Sequence, residues 1–177
     1  MFKIYTMEVL NMILNQTTAD KKLRRMALEI VERNYEKNEL ILIGIKDNGS
    51  FIARKIARYL KETFKGKLLI SDLSINKKQP AEILLSHDLD LNNKVIILID
   101  DVANTGRTML YALKPLLMQL PEKIQTLALV ERTHKLFPVA VDYVGVSVST
   151  TLLENIIVEI ENEEVVGAWV NENEKIV

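Results

Sequence analysis

Three runs of uninterrupted aliphatic side chains constrain this fold more than any other feature. They are LILIGI at 40–45, VIILI at 95–99 and LALV at 127–130, the last inside KIQTLALVER. A strand that is apolar at successive residues is apolar on both faces, so both faces must be covered. The intervening segments supply the cover. From a cap at Thr18 or Asp20 to about Lys37, the residues Leu23, Met26, Ala27, Ile30 and Val31 recur at helical spacing, with Arg24, Arg25, Glu29, Glu32 and Arg33 on the opposite side. Phe51–Lys61 repeats the pattern through Ile52, Ile56, Ala57 and Leu60, and Met109–Leu120 gives a third helix that Pro115 kinks or ends early. Further strands are expected at 67–75 and over the whole of 123–132.

Alternating buried strands and helices predict an α/β domain with a parallel sheet flanked by helices on both faces. The short apolar stretches at 139–149, 155–161 and 165–171 predict extra antiparallel strands near the C-terminus. Residues 5–14 read as a short helix. Residues 74–93 contain Pro80 and many polar side chains, and a connection this long in a compact domain points to a functional loop. The 177 residues suit a single domain, 1–177, whose tail at 171–177 frays.

Composition narrows the chemistry. The chain has no cysteine, which excludes disulfides, thiol nucleophiles and cysteine metal sites. Its two histidines, His87 and His134, are far apart, so a histidine-rich metal centre is not expected. The net charge of −1 gives no global field for nucleic acid. No apolar run reaches the roughly 18 residues of a membrane span, and the N-terminal residues lack a signal-peptide core, so a cytoplasmic protein is expected.

In open α/β sheets the ligand lies beyond the carboxyl ends of the strands. That rule selects KDNGS after the first strand, the 74–93 loop after the second, and DDVANTGRT after the third. Asp100 and Asp101 are like charges at a strand end, tolerable where sugar hydroxyls or a magnesium ion share them. Ala103, Asn104, Thr105, Gly106, Arg107 and Thr108 then lead into a helix, whose free N–H groups and dipole suit a phosphate. Gly106 permits close backbone approach, the two threonines offer hydroxyls, and Arg107 offers charge. Carboxylates for a diol beside a phosphate cradle describe a phosphorylated sugar. Neither a Walker loop nor a dinucleotide fingerprint is present.

VIILIDDVANTGRT resembles the phosphoribosyl-diphosphate (PRPP) motif of type I phosphoribosyltransferases. RRMALEIVERN, LILIGIKDNG and LALVERTHKLFPVAVDYVG extend the resemblance, most closely towards the bacterial bifunctional pyrimidine-operon regulators that are also uracil phosphoribosyltransferases. It is weakest over residues 72–93. The resemblance implies transfer of phosphoribose from PRPP to a nucleobase, most readily uracil, giving UMP and pyrophosphate. It implies that Asp100 and Asp101 contact the ribose hydroxyls and, indirectly, Mg2+, that residues 103–108 hold the 5′-phosphate, and that Lys46, Asp47, Asn48 and Gly49 grip pyrophosphate, with Lys46 assisting catalysis. It places the base against Val146, Ser147 and Val148, and a closing loop with Ser74, Lys77 and Lys78 over the site. It implies at least a homodimer.

Two departures matter. The related regulators carry lysine, a small hydroxyl residue, arginine and glycine in the pyrophosphate loop. Here Asp47 and Asn48 stand in the middle, which predicts weaker stabilisation of the leaving group and leaves a PRPP- or nucleotide-binding regulator as the alternative. The purine-specific relatives carry a third acidic residue where this chain has Asn104, which favours a pyrimidine. Of the basic residues on the regulators' RNA-binding face, Arg25 and Lys135 remain, while Ala140 and Val146 replace others, so RNA binding is not expected.

Overall fold

The computed structural model describes residues 11–75, 83–85, 89–151 and 154–172. The larger sheet has six strands. They are β2 (Glu39–Ile45), β3 (Lys67–Ile75), β4 (Ile83–Leu85), β5 (Val95–Ala103), β6 (Lys123–Arg132) and β7 (Tyr143–Val148), in the order β4-β3-β2-β5-β6-β7. All neighbours are parallel except β4, which runs antiparallel along the β3 edge. Leu40–Ile43 and Val95–Ile99 are buried, as their unbroken apolar character requires.

Helices α1 (Gln16–Arg33) and α2 (Asn48–Thr63) cover one face, packing Leu23, Met26, Ile30, Ile52, Ile56 and Leu60 against Leu40, Leu42, Ile97 and Ile99. Helix α3 (Arg107–Leu116) covers the other, where Met109, Ala112 and Leu116 meet Ile41, Ile43, Ile96 and Leu98. A separate antiparallel sheet joins β1 (Asn11–Asn15), β9 (Glu164–Glu172) and β8 (Glu154–Glu161), in the order β1-β9-β8. Its inner residues Leu14, Ile156, Val158, Val165 and Ala168 continue the α1/α2 core. Parallel sheet, two-sided helical cover and late antiparallel strands thus agree with the expected architecture.

Several boundaries differ, each for a local reason. Residues 11–14 are strand, not helix, because Met12 and Leu14 pair with β9, and Asn15 caps α1 by accepting the Thr18 N–H at 2.8 Å. Residues 5–10 of that expected helix lie outside the described residues. The expected loop at 74–93 is part strand: Ser74 and Ile75 belong to β3, which would otherwise be an open edge, and Leu73–Ile75 pair with 83–85. Lys77 and Lys78 lie outside the described residues, as does the tail from 173; Asn171 and Glu172 complete β9. Helix α3 ends at Leu116, one residue after Pro115, which leaves Leu117, Met118 and Leu120 exposed. The seventh strand starts at Tyr143 rather than 139, since Asp142 is held by Thr126.

Trp169 stacks over Gly167 in β9; a Cβ on that glycine would lie 2.5 Å from the indole ring. Among the described residues, no helix is long and apolar enough to cross a membrane.

Candidate active site

The carboxyl ends of β2 and β5 lie side by side, with Gly44 paired to Ile99. Strand β5 runs through the acidic pair to Ala103, so Asp100 and Asp101 keep the alternation of a strand and face different neighbours. Asp100 is buried, and its Oδ1 accepts the Asp101 N–H at 3.0 Å. Asp101 is half-buried; its Oδ1 accepts the Val102 N–H at 2.9 Å and its Oδ2 accepts from Asn48 Nδ2 at 2.8 Å.

Residues 104–106 turn the chain from β5 into α3. Gly106, the residue before the helix, has φ of +80°, which a side chain would strain, and a Cβ there would lie 3.1 Å from the Phe137 carbonyl. Gly106 offers α3 no side-chain cap; the Thr105 hydroxyl accepts the Arg107 N–H at 3.3 Å, and Gly106, Thr108 and Met109 of the helix start line a cavity. That cavity, about 150 Å³, is lined by Asp100, Ala103, Asn104, Thr105, Gly106 and Thr108 among others. Arg107 is exposed and stands over the Tyr111 ring.

A second cavity of about 210 Å³ adjoins it, lined by Lys46, Asp47, Asn48, Asp100, Asp101 and Thr108 among others. The two share Asp100, Val102 and Thr108. KDNG is not the surface turn with positive φ that an Asn–Gly pair can form. Asn48 and Gly49 open α2, and Gly49 is required for close approach: a Cβ there would lie 2.6 Å from the Ile99 carbonyl and 3.1 Å from Asp100 Cα. Lys46 and Asp47 are exposed at the rim, joined by a cis peptide. The Lys46 N–H donates to Leu73 O of β3 at 2.9 Å.

The expected base segment divides by face. Val146 and Val148 pack against the core, whereas the Ser147 hydroxyl donates to Glu131 at 3.1 Å. His134 is exposed. Glu131 also pairs with Lys135, whose stem passes beside Gly106.

Three features were not read from the sequence. Arg132 is buried and donates to the carbonyls of Thr151 and Glu154, at 3.0 and 2.5 Å, fixing the connection from β7 to β8. Its place as the arginine ending an apolar strand is the signal that could have marked it. The N–H groups of Leu136 and Phe137 both donate to Thr105 O, bracing the turn before α3. Asn48 also donates to Val158 O of β8 at 2.9 Å.

Magnesium fits this donor set only in part. Among the described residues no group of three or more acidic or histidine side chains could hold a metal. Two adjacent carboxylates suit an ion that takes its remaining oxygens from substrate and water.

A parallel sheet with an acidic pair and an open helix start at its carboxyl end, below a small antiparallel sheet, is the build of a type I phosphoribosyltransferase. Residues 9–163 match the family model described as Phosphoribosyl transferase domain, and the chain belongs to that family. It is 33% identical over 157 residues to a pyrimidine operon regulatory protein of Lactococcus lactis subsp. lactis, covering 86% of this chain and 91% of that one. It is 35% identical over 153 residues to the bifunctional protein PyrR of Streptococcus uberis, covering 84% and 88%. Among solved structures it resembles the hypoxanthine phosphoribosyltransferase of Trypanosoma cruzi, with TM-score 0.75, 15% identity and coverage of 92% and 97%. It also resembles a hypoxanthine-guanine phosphoribosyltransferase of Bacillus anthracis, with TM-score 0.69, 19% identity and coverage of 83% and 85%. At such identities these two likenesses speak for the fold alone.

Proposed function

We propose that this chain binds PRPP and transfers its phosphoribosyl group to a nucleobase, with uracil the first choice, releasing pyrophosphate. The observation that carries the reading is the pair of adjoining cavities that share Asp100 and Thr108. One presents the start of α3 to a 5′-phosphate, and the other presents Asp100, Asp101 and Lys46 to the ribose and the diphosphate. The reaction forms a bond from a base nitrogen to ribose C1, breaks the C1–oxygen bond to pyrophosphate, and releases the proton of that nitrogen to solvent. Asp100 and Asp101 orient the ring through its hydroxyls, and the α3 start anchors the far end, so C1 is held between base and leaving group. Lys46 offers positive charge at the rim where pyrophosphate departs. Magnesium, when bound with the substrate, neutralises part of the diphosphate charge. No covalent nucleophile is required. We further propose that the protein works in the cytoplasm as a homodimer or larger homo-oligomer, and that residues 74–93, including Ser74, Lys77 and Lys78, close over the site.

Uracil is preferred because the similarity to pyrimidine operon regulatory proteins spans most of both chains and because Asn104 is a neutral amide. RNA binding is disfavoured by the partners of the two remaining basic residues. Arg25 pairs with Glu29 and donates to Val144 O, and Lys135 pairs with Glu131. A second reading, a PRPP- or nucleotide-responsive regulator with little catalysis, is favoured by the neutral Asn48 at the pyrophosphate loop. One assay separates them: the protein is incubated with PRPP, Mg2+ and labelled uracil, hypoxanthine or guanine. UMP and pyrophosphate are expected. Nucleotide from a purine alone would overturn the choice of uracil, and PRPP binding without any nucleotide would favour the regulator.

A further inference from the structure

Asn48 lies in the loop expected to grip pyrophosphate, yet its side-chain contacts lead elsewhere. Its Nδ2 lies 2.8 Å from Asp101 Oδ2 and 2.9 Å from the Val158 carbonyl. Both partners are pure acceptors, so the amide nitrogen, not the oxygen, must face them. An amide nitrogen carries two protons, and two acceptors use both. The Asn48 side chain therefore has no N–H left for a phosphate oxygen; its backbone N–H, in the first turn of α2, is a separate donor. Its backbone has little freedom to change this, because Gly49 is pressed against the Ile99 carbonyl and holds the start of α2 in place.

Asp101 is held from the other side as well, since its Oδ1 accepts the Val102 N–H at 2.9 Å. Each carboxylate oxygen thus has one fixed donor, and the group keeps its orientation and lone pairs for a ligand. The donor from α2 is neutral, so Asp101 is oriented without forming an ion pair. The second Asn48 proton ties the same point to β8, so the small sheet and the acidic pair are fixed to each other through one side chain.

We propose that the Asn48 side chain is a positioning group that acts through Asp101: it sets the carboxylate for the sugar hydroxyls and docks β8 beside it, rather than pointing its amide at pyrophosphate. This rests on the phosphoribosyl reading of the site. It assigns the substitution in KDNG to the ribose end of the ligand.

The test is a double-mutant cycle on ligand affinity, using wild type, Asn48→Ala, Asp101→Ala and the double variant. Binding of UMP and of its 2′,3′-dideoxy analogue is measured by calorimetry, with thermal melting as a check of folding. Asn48→Ala is expected to weaken UMP about tenfold, as for loss of a hydrogen bond to a charged group, and to leave the dideoxy analogue unchanged. The double variant is expected to bind UMP no more weakly than Asp101→Ala. Asn48→Leu, similar in volume but unable to donate, is expected to match Asn48→Ala. If the losses multiply in the double variant, Asn48 acts independently of Asp101 and the proposal falls while the phosphoribosyl reading stands. Equal weakening of UMP and the dideoxy analogue would assign Asn48 a purely structural role and also overturn the proposal. If the wild type binds neither UMP nor PRPP, the underlying reading fails and this inference with it.

Discussion

At Gly106 the requirements of the backbone and of the proposed phosphate ligand coincide. Its φ of +80° is strained for any side chain, and the Phe137 carbonyl leaves little room for one. Gly106→Ala is expected to cost about 1–2 kcal/mol through the left-handed conformation. The altered turn should also weaken ligands with a 5′-phosphate more than free uracil. Thermal melting and calorimetry with UMP and uracil check both parts. This residue was legible in the sequence because T-G-R-T before a helix has few other uses. The neighbouring KDNG was only half legible. That it lies at the strand end follows from chain order, but the partners of Asn48 do not, because Asp101 and Val158 are 53 and 110 residues away.

Between elements, the junction of α1, α2 and β9 is an ion-pair network. Lys55 of α2 lies 3.1 Å from Asp20 of α1 and 2.6 Å from Glu164 of β9, and the Tyr59 hydroxyl donates to Asp20. Burial pushes the Asp20 carboxyl up, but the hydrogen bonds from Tyr59 and Lys55 outweigh it and leave the group below its ordinary 3.8. Burial likewise lowers Lys55, and the bonds to Glu164 and Asp20 more than offset it, raising the amine above its ordinary 10.5. A depressed carboxylate stabilises the fold above its unfolded value and loses that contribution as pH falls through its folded value. A raised amine contributes fully below its unfolded value and loses its contribution as pH rises through its folded value. The stabilisation from this network should therefore be flat between about pH 4 and 10, fading outside that range. Urea denaturation across pH is expected to show a shallower acid-side fall in Asp20→Asn than in wild type, and an unchanged slope would refute the assignment. None of this network was foreseen. Helical periodicity shows which residues leave the core, but not which charges meet. The elements themselves were clear wherever apolar patterning was strong. They were misplaced at 11–14, where pairing with the distant β9 decides the conformation, and at 83–85, where pairing back onto the end of β3 does.

For the whole molecule, the question is how the antiparallel sheet is held at the mouth of the parallel one. Arg132 contributes two donors to the β7–β8 connection from a buried position, and Asn48 contributes one to β8. Arg132→Met keeps much of the apolar stem and removes the donors. It is expected to lower stability by about 3 kcal/mol, as for hydrogen bonds to a charged group, measured by urea denaturation. Ligand affinity should fall as well, since the connection follows the expected base segment. The order of layers was readable from alternating apolar runs, because strands buried on both faces permit few arrangements. The joining of β1 to β9 was not, because it unites the two ends of the described chain.

The central claim is that the carboxyl end of the sheet binds the phosphoribosyl group through the acidic pair and the α3 start. Calorimetric titration of the wild-type protein with PRPP in the presence of Mg2+, repeated after saturation with UMP, tests it most directly. The expected result is saturable binding of one PRPP per chain that UMP abolishes and Asp101→Ala weakens. Absence of PRPP binding, or binding indifferent to both UMP and Asp101, would contradict it.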